Sequence, residues 1–214
     1  MRDSGRGGPR LTRAIVWNPT APSPRRDKEI EVDRKQALAL VVERIPSRNL
    51  VNHSIAVECI MEALARRLGM PDADVERWAL AGLLHDLDYA ETGEDPARHG
   101  LVTAEELEGL VDDGIIHAIL GHAEKAPRES QMDRALYAAD PTTGFIVAAA
   151  LVRPDRALAA VEVRSLLKRW KEKAFARGAS REQMDTCTDL GLTREEFLAL
   201  SLAAMQARAA DIGL

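Results

Sequence analysis

All five histidines of this 214-residue chain, His53, His85, His99, His117 and His122, fall within 70 residues. Asp86 follows His85 directly, and Asp140 comes soon after the last of them. Solvated histidines would be scattered more widely. A lone histidine on an apolar stripe reads as a satisfied core residue, but a set arriving on separate helices and facing inward reads as ligands. Neutral imidazoles with carboxylates suit borderline cations such as manganese, iron, cobalt, nickel or zinc. Two such cations about 3.5 to 4 Å apart can lower the pKa of a shared water and clamp a phosphoryl group for in-line attack.

Helices must carry these side chains. Aromatic residues make up only 4% of the chain while Ala, Leu and Arg abound, which predicts an all-α fold. The run NLVNHSIAVECIMEALARRLG sets Leu50, His53, Val57, Ile60, Leu64 and Leu68 on one stripe ending at Gly69, so His53 points into the core. DADVERWALAGLLHD aligns Val75, Trp78, Gly82 and His85, placing His85 and Asp86 at a helix carboxyl end that favours a nearby cation. Asp95-Pro96 predicts an N-cap and first helical residue, with His99 in the opening turn of a helix running towards Asp112. IIHAILGHAE predicts a short helix in which His117 and His122 are about 140° out of phase, so the two do not easily share one metal, and His117 is expected to support the ligands from behind or to stand in the bundle wall. RESQMDRALYAAD aligns Met132, Leu136 and Asp140 and is expected to stop at Pro141, with GFIVAAALV a separate buried helix closed by Pro154. DRALAAVEVRSLLKRWKEKAFARG predicts one long amphipathic helix, and Ser180 with Gln183 and Thr193 with Glu196 read as capping boxes. The expected total is seven or eight helices.

The order His53, His85-Asp86, His99, His122, Asp140 resembles the H…HD…H…H…D pattern of the HD-domain superfamily of metal-dependent phosphohydrolases, over roughly residues 36 to 205. HDLDY, HAILGHAE, AADPTTGFI and ALVRP are more narrowly similar to the HDIG-type subfamily of small prokaryotic HD proteins. That resemblance implies a helical bundle around a central site. His53, His85, Asp86 and Asp140 would hold a first divalent transition metal ion, and Asp86 would bridge to a second bound also by His99 and His122. It implies attack of a metal-bound hydroxide on a small phosphate ester, nucleotide-like by analogy with the family. No Gly-Tyr-Pro follows His122-Ala123-Glu124 and no lysine follows the HD pair, which disfavours cyclic di-GMP hydrolysis. A di-iron oxygenase and a non-catalytic nucleotide-sensing or partner-binding module are the two rival readings of the same ligand set.

Other residues join as candidates. Asp88 and Glu124, each two positions beyond a proposed ligand, would protonate a leaving oxygen or orient an imidazole. Arg153 in the ALVRP turn and Lys173, on the apolar side of its expected helix, would meet phosphate charge; Lys168 resembles a basic position of the subfamily.

Composition excludes several classes. Residues 1–26 hold six arginines and one acid, leaving 23 basic and 33 acidic residues, and an acidic body argues against a nucleic-acid polymer as ligand. Residues 1–30, rich in Gly, Pro, Ser and Arg, read as a disordered basic leader before one domain over 31–214. The longest apolar run is too short for a membrane span, and no apolar signal segment is seen, so a cytoplasmic protein is expected. Cys59 and Cys187 form no CxxC pair and read as reduced packing residues.

Overall fold

In the computed structural model, which describes residues 32–93 and 95–214, the described residues are helices joined by short turns. The expected basic leader lies outside them. Asp33 forms a capping box with Gln36 and opens α1 (Arg34–Arg44). α2 (Arg48–Arg67) and α3 (Asp72–Leu84) follow, then two short helices, α4 (Tyr89–Thr92) and α5 (Leu101–Glu106). α6 (Asp113–His122) starts where Asp112 accepts from the backbone of Gly114 and Ile115. α7 (Gln131–Leu151) begins with a Ser130–Asp133 capping box, and α8 (Val163–Trp170), α9 (Arg181–Asp185) and α10 (Arg194–Ala207) complete the bundle with 3-10 turns at Leu158–Ala160 and Thr186–Leu190. The all-α class is as expected. The count exceeds eight because α4, α5 and α9 are pieces of four to six residues.

α2 and α7 are the axis of the core. α2 buries eleven of its residues, among them Val57, Ile60, Met61 and Leu64, and α3 lies directly against it. Gly82 permits that approach: a Cβ there would stand 2.9 Å from the Glu58 nitrogen and the Val57 carbonyl, both backbone atoms. The side chain of Glu58, 1% exposed, pairs with Arg34 of α1 and with Arg208 just past α10. Both cysteines are buried, and burial pushes each thiol up to about 11, in keeping with inert packing residues.

Three expectations need correction. α7 does not stop at Pro141 but runs through it. An interior proline costs about 3 kcal/mol or more in a helix, yet Phe145, Ile146, Ala149 and Ala150 beyond it are buried, and that packing carries the helix onward. The long helix expected over residues 155–178 is broken into a 3-10 turn, α8 and a run of turns. Side chains take the carbonyls that a continuous helix would use: Gln206 donates to Leu158 and Val161 (3.0 and 3.1 Å), and Arg181 donates to Phe175, Ala176 and Ala179 (2.7, 2.9 and 2.8 Å). Finally, Asp95–Gly100 is turn structure rather than a helix start, so His99 precedes α5. Among the described residues no helix is long and apolar enough to cross a membrane.

Candidate metal centre

Five segments deliver one side chain or a pair each to a common point. His53 comes from the second turn of α2, and His85 with Asp86 from the carboxyl end of α3. His99 arrives on the turn before α5, His122 on the last residue of α6, and Asp140 from the middle of α7. Gly100 fixes the His99 turn: its φ is 78°, and a Cβ there would meet the Ala123 Cβ at 2.5 Å.

The carboxylate of Asp86 stands between two groups of imidazoles. Its Oδ2 lies 3.4 Å from His53 Nε2 and 3.3 Å from His85 Nε2. Its Oδ1 lies 3.5 Å from His99 Nε2 and 3.5 Å from His122 Nε2. Asp140 Oδ1 faces the first group, at 3.2 Å from His53 and 3.8 Å from His85. One donor atom each from His53, His85 and Asp140 lies within 4.8 Å of the others, as does one each from His85, Asp86 and His122. These separations suit a cation among the donors better than direct hydrogen bonds.

The tautomer of each of the four ligand imidazoles is set from behind the ring. His85 Nδ1 donates to the Gly82 carbonyl at 2.8 Å, and His122 Nδ1 donates to the Ile119 carbonyl. The Thr143 hydroxyl gives its proton to the Asp140 carbonyl (2.9 Å), so at 2.8 Å it accepts from His53 Nδ1. His99 Nδ1 donates to Asp88 Oδ1 at 2.9 Å. In the neutral rings all four Nε2 atoms are thereby left as lone-pair donors aimed at the centre. His122 Nε2 is buried without a hydrogen-bond partner, as a nitrogen that ligates a metal would be. The donor set therefore fits divalent transition metal ions.

Charge in the metal-free cluster is arranged accordingly. Burial alone would lower the pKa of His53, but the carboxylates of Asp140 and Asp86 outweigh it and raise the ring to about 9. His85 is raised well above its ordinary value against the same burial, chiefly by Asp86 and Asp140. Burial would raise Asp86 and Asp140, yet the surrounding imidazoles hold both below the carboxylate range. A bound cation would replace these protons as the positive partner.

The remaining candidates lie elsewhere or act differently. Asp88 is 1% exposed and accepts from His99, from the Gly100 and Thr103 amides (2.8 and 3.1 Å) and from the Thr92 hydroxyl (3.1 Å). Against the burial that would raise it, these bonds hold its pKa low. It has no proton to give a leaving group, and orients His99 instead. Glu124 is exposed at a φ of 60° and accepts from the Tyr137 hydroxyl at 2.9 Å. Arg153, thirteen residues beyond Asp140 and so roughly 20 Å along the chain direction of α7, is clasped by Asp155 at 2.9 and 3.0 Å. Lys168 and Lys173 are exposed; the helical phase expected of Lys173 fails because α8 ends at Trp170. His117 faces Asp133 at 3.0 Å, in the bundle wall.

A cleft of about 440 Å³ opens onto the centre, bounded by Tyr89, Pro141, Gly144, Ala148, Ala176, Gly178, Ala179 and Gln183. Sequence reasoning missed this wall. Ser180 caps α9 through Gln183 N, but the expected return bond from the Gln183 side chain is absent, and that side chain lines the cleft.

Residues 50–151 match the family model of the HD domain. The chain is 34% identical over 100 residues to Ribonuclease Y of Nitratidesulfovibrio vulgaris (strain DP4), and 32% identical over 99 residues to Ribonuclease Y of Oleidesulfovibrio alaskensis. Each match covers 46% of this chain but 18% of the relative, so the chain spans less than a fifth of the curated relatives it matches. No solved structure matches the chain.

Proposed function

We propose, from the premise that the chain carries an HD domain across residues 50–151, that it is a metal-dependent phosphohydrolase acting on a small phosphate ester, nucleotide-like in kind. The observation that carries this reading is the placement of Asp86, one oxygen towards His53 and His85 and the other towards His99 and His122. His53, His85, Asp140 and Asp86 would hold one cation, and Asp86, His99 and His122 a second. When bound, such cations acidify a water and offset phosphoryl charge. The chain's own part is orientation: Gly82, Ile119, Asp88 and Thr143 fix the imidazoles, and Asp86 keeps the two groups in register. The relatives' printed name supports hydrolysis at phosphorus as the reaction class.

The test is metal analysis of anaerobically purified protein, followed by a phosphate-release screen over nucleotides, cyclic nucleotides, sugar phosphates and an oligoribonucleotide. About two transition metal ions per chain and turnover of a small ester are expected. Iron with oxygen consumption and no phosphate release would overturn the reading in favour of an oxygenase. Metal without either reaction would leave a binding module.

A further inference from the structure

The cleft wall is unlike the centre it serves. Asp140, Gly144 and Ala148 stand at successive turns of α7, so a stripe of small residues leads away from the metal ligands for about 12 Å. On the second wall stand Ala176, Gly178 and Ala179. Gly144 and Gly178 are exposed at the mouth of the cleft, and apart from their own chain neighbours and the backbone of α7 no atom lies within 4 Å of where a Cβ would stand on either, so both leave open space. The second wall is held rigidly: the Arg181 guanidinium takes the carbonyls of Phe175, Ala176 and Ala179 and lies 4.3 Å over the Phe145 ring. Ala176 is held at a φ of 45°, a conformation that a loose segment would relax.

Charge is absent along this slot. Among the described residues no lysine or arginine lines the cleft, and its only ionisable groups beyond the metal ligands are the phenol of Tyr89. Arg177, Lys168 and Lys173 are exposed. A substrate can therefore present one phosphoryl group to the cations, whereas a second phosphate in the slot would meet no cation.

We propose that Gly144 and Gly178 are the specificity-determining residues of the site, and that the slot they leave open receives an uncharged organic group joined to a single phosphate. Gln183 supplies its polar contact. The proposal rests on the phosphohydrolase reading and names the substrate class within it. Esters of one phosphate are selected over pyrophosphate-containing compounds and over a polymer that needs successive phosphate contacts.

Calorimetric titration of manganese-loaded protein tests it with three probes that separate the parts. Inorganic phosphate reports the cations alone, phenylphosphonate adds a flat ring without a hydrolysable bond, and pyrophosphate adds a second charge. Phenylphosphonate is expected to bind about tenfold or more tighter than phosphate, in the range a hydrophobic pocket supplies, and pyrophosphate no tighter than phosphate. Gly144→Leu and Gly178→Leu, on separate elements, should each abolish the phenylphosphonate advantage while manganese content and phosphate affinity stay unchanged. Equal affinity for phenylphosphonate and phosphate, an unaltered preference in both variants, or tighter pyrophosphate binding would overturn the slot. Failure of phosphate itself to bind the loaded protein would instead refute the phosphohydrolase reading, and the slot with it.

Discussion

Asp88→Asn separates orientation from ligation. Asp88 Oδ1 accepts from His99 Nδ1 and the Thr92 hydroxyl, and Oδ2 accepts from the Gly100 and Thr103 amides. An asparagine has one acceptor oxygen, so whichever way it turns, its NH2 faces a pair of groups that now donate. With the oxygen kept on the two amides, the NH2 can satisfy His99 only if Nδ1 gives up its proton, which moves that proton to Nε2 and blocks the lone pair aimed at the centre. Bonds to a buried charge contribute about 1.5 to 3 kcal/mol each and a stranded buried donor costs about 1 to 3 kcal/mol, so a loss of roughly 2 to 4 kcal/mol is expected in the metal-free protein. At about 3 °C per kcal/mol for a chain of this length, the melting temperature should fall by about 6 to 12 °C. The metal held by His99 and His122 should weaken by about 10 to 100-fold while the one held by His53 and Asp140 stays. Thermal denaturation with chelator and a competitive metal titration measure both. An Asp88→Asn protein with unchanged stability and two equally tight metals would refute the orientation argument.

Asp86→Asn should behave otherwise: the shared charge disappears, so both metals weaken together and hydrolysis nearly vanishes, as metal counts and turnover would show. Asp140→Asn should weaken only the first metal, and equal loss at both positions would contradict the division of ligands described above. In metal-free protein the folded His53 pKa of about 9 lies above the unfolded value of about 6.5. Its contribution to stability is therefore full below about pH 6.5 and lost as pH rises through 9, readable by denaturant melts across that range. Because metal must displace this proton, metal affinity should rise with pH up to about 9, with proton release visible by calorimetry in buffers of different ionisation enthalpy. Gly82→Ala should cost about 1 to 3 kcal/mol by denaturant unfolding, because its Cβ would press on the backbone of α2 at 2.9 Å, and retention of full stability would show the helices free to part.

The parts of the fold legible in sequence were those with a strong local signature. Stripes at spacings of three and four carried α2 and α3, and capping side chains marked the starts of α9 and α10. The clustering of histidines and aspartates was legible because inward polar groups are costly without a partner, while the six ligand candidates came from the family resemblance. What failed was set by distant contacts. Pro141 signals a stop unless the residues beyond it are known to be buried. The charged run around Lys173 has helical periodicity, but Arg181 and Gln206 compete for its carbonyls from elsewhere in the chain. Asp88 was visible as an acid, yet its four donors come from Thr92 and the turn around His99, which no periodicity announces. The cleft wall was invisible for a simpler reason: glycines and alanines are informative only once opposed to something.

The four imidazole supports differ in how mutation can reach them. His85 and His122 lean on the carbonyls of Gly82 and Ile119, groups that every residue type possesses and no point substitution removes. His53 and His99 lean on the side chains of Thr143 and Asp88, which a single base change can delete. Robustness to drift is therefore uneven across the site. A lineage relieved of selection for activity should lose the alignment of His53 and His99 first while His85 and His122 stay in place, leaving a pair still able to grip a cation but no longer backed by an intact second set.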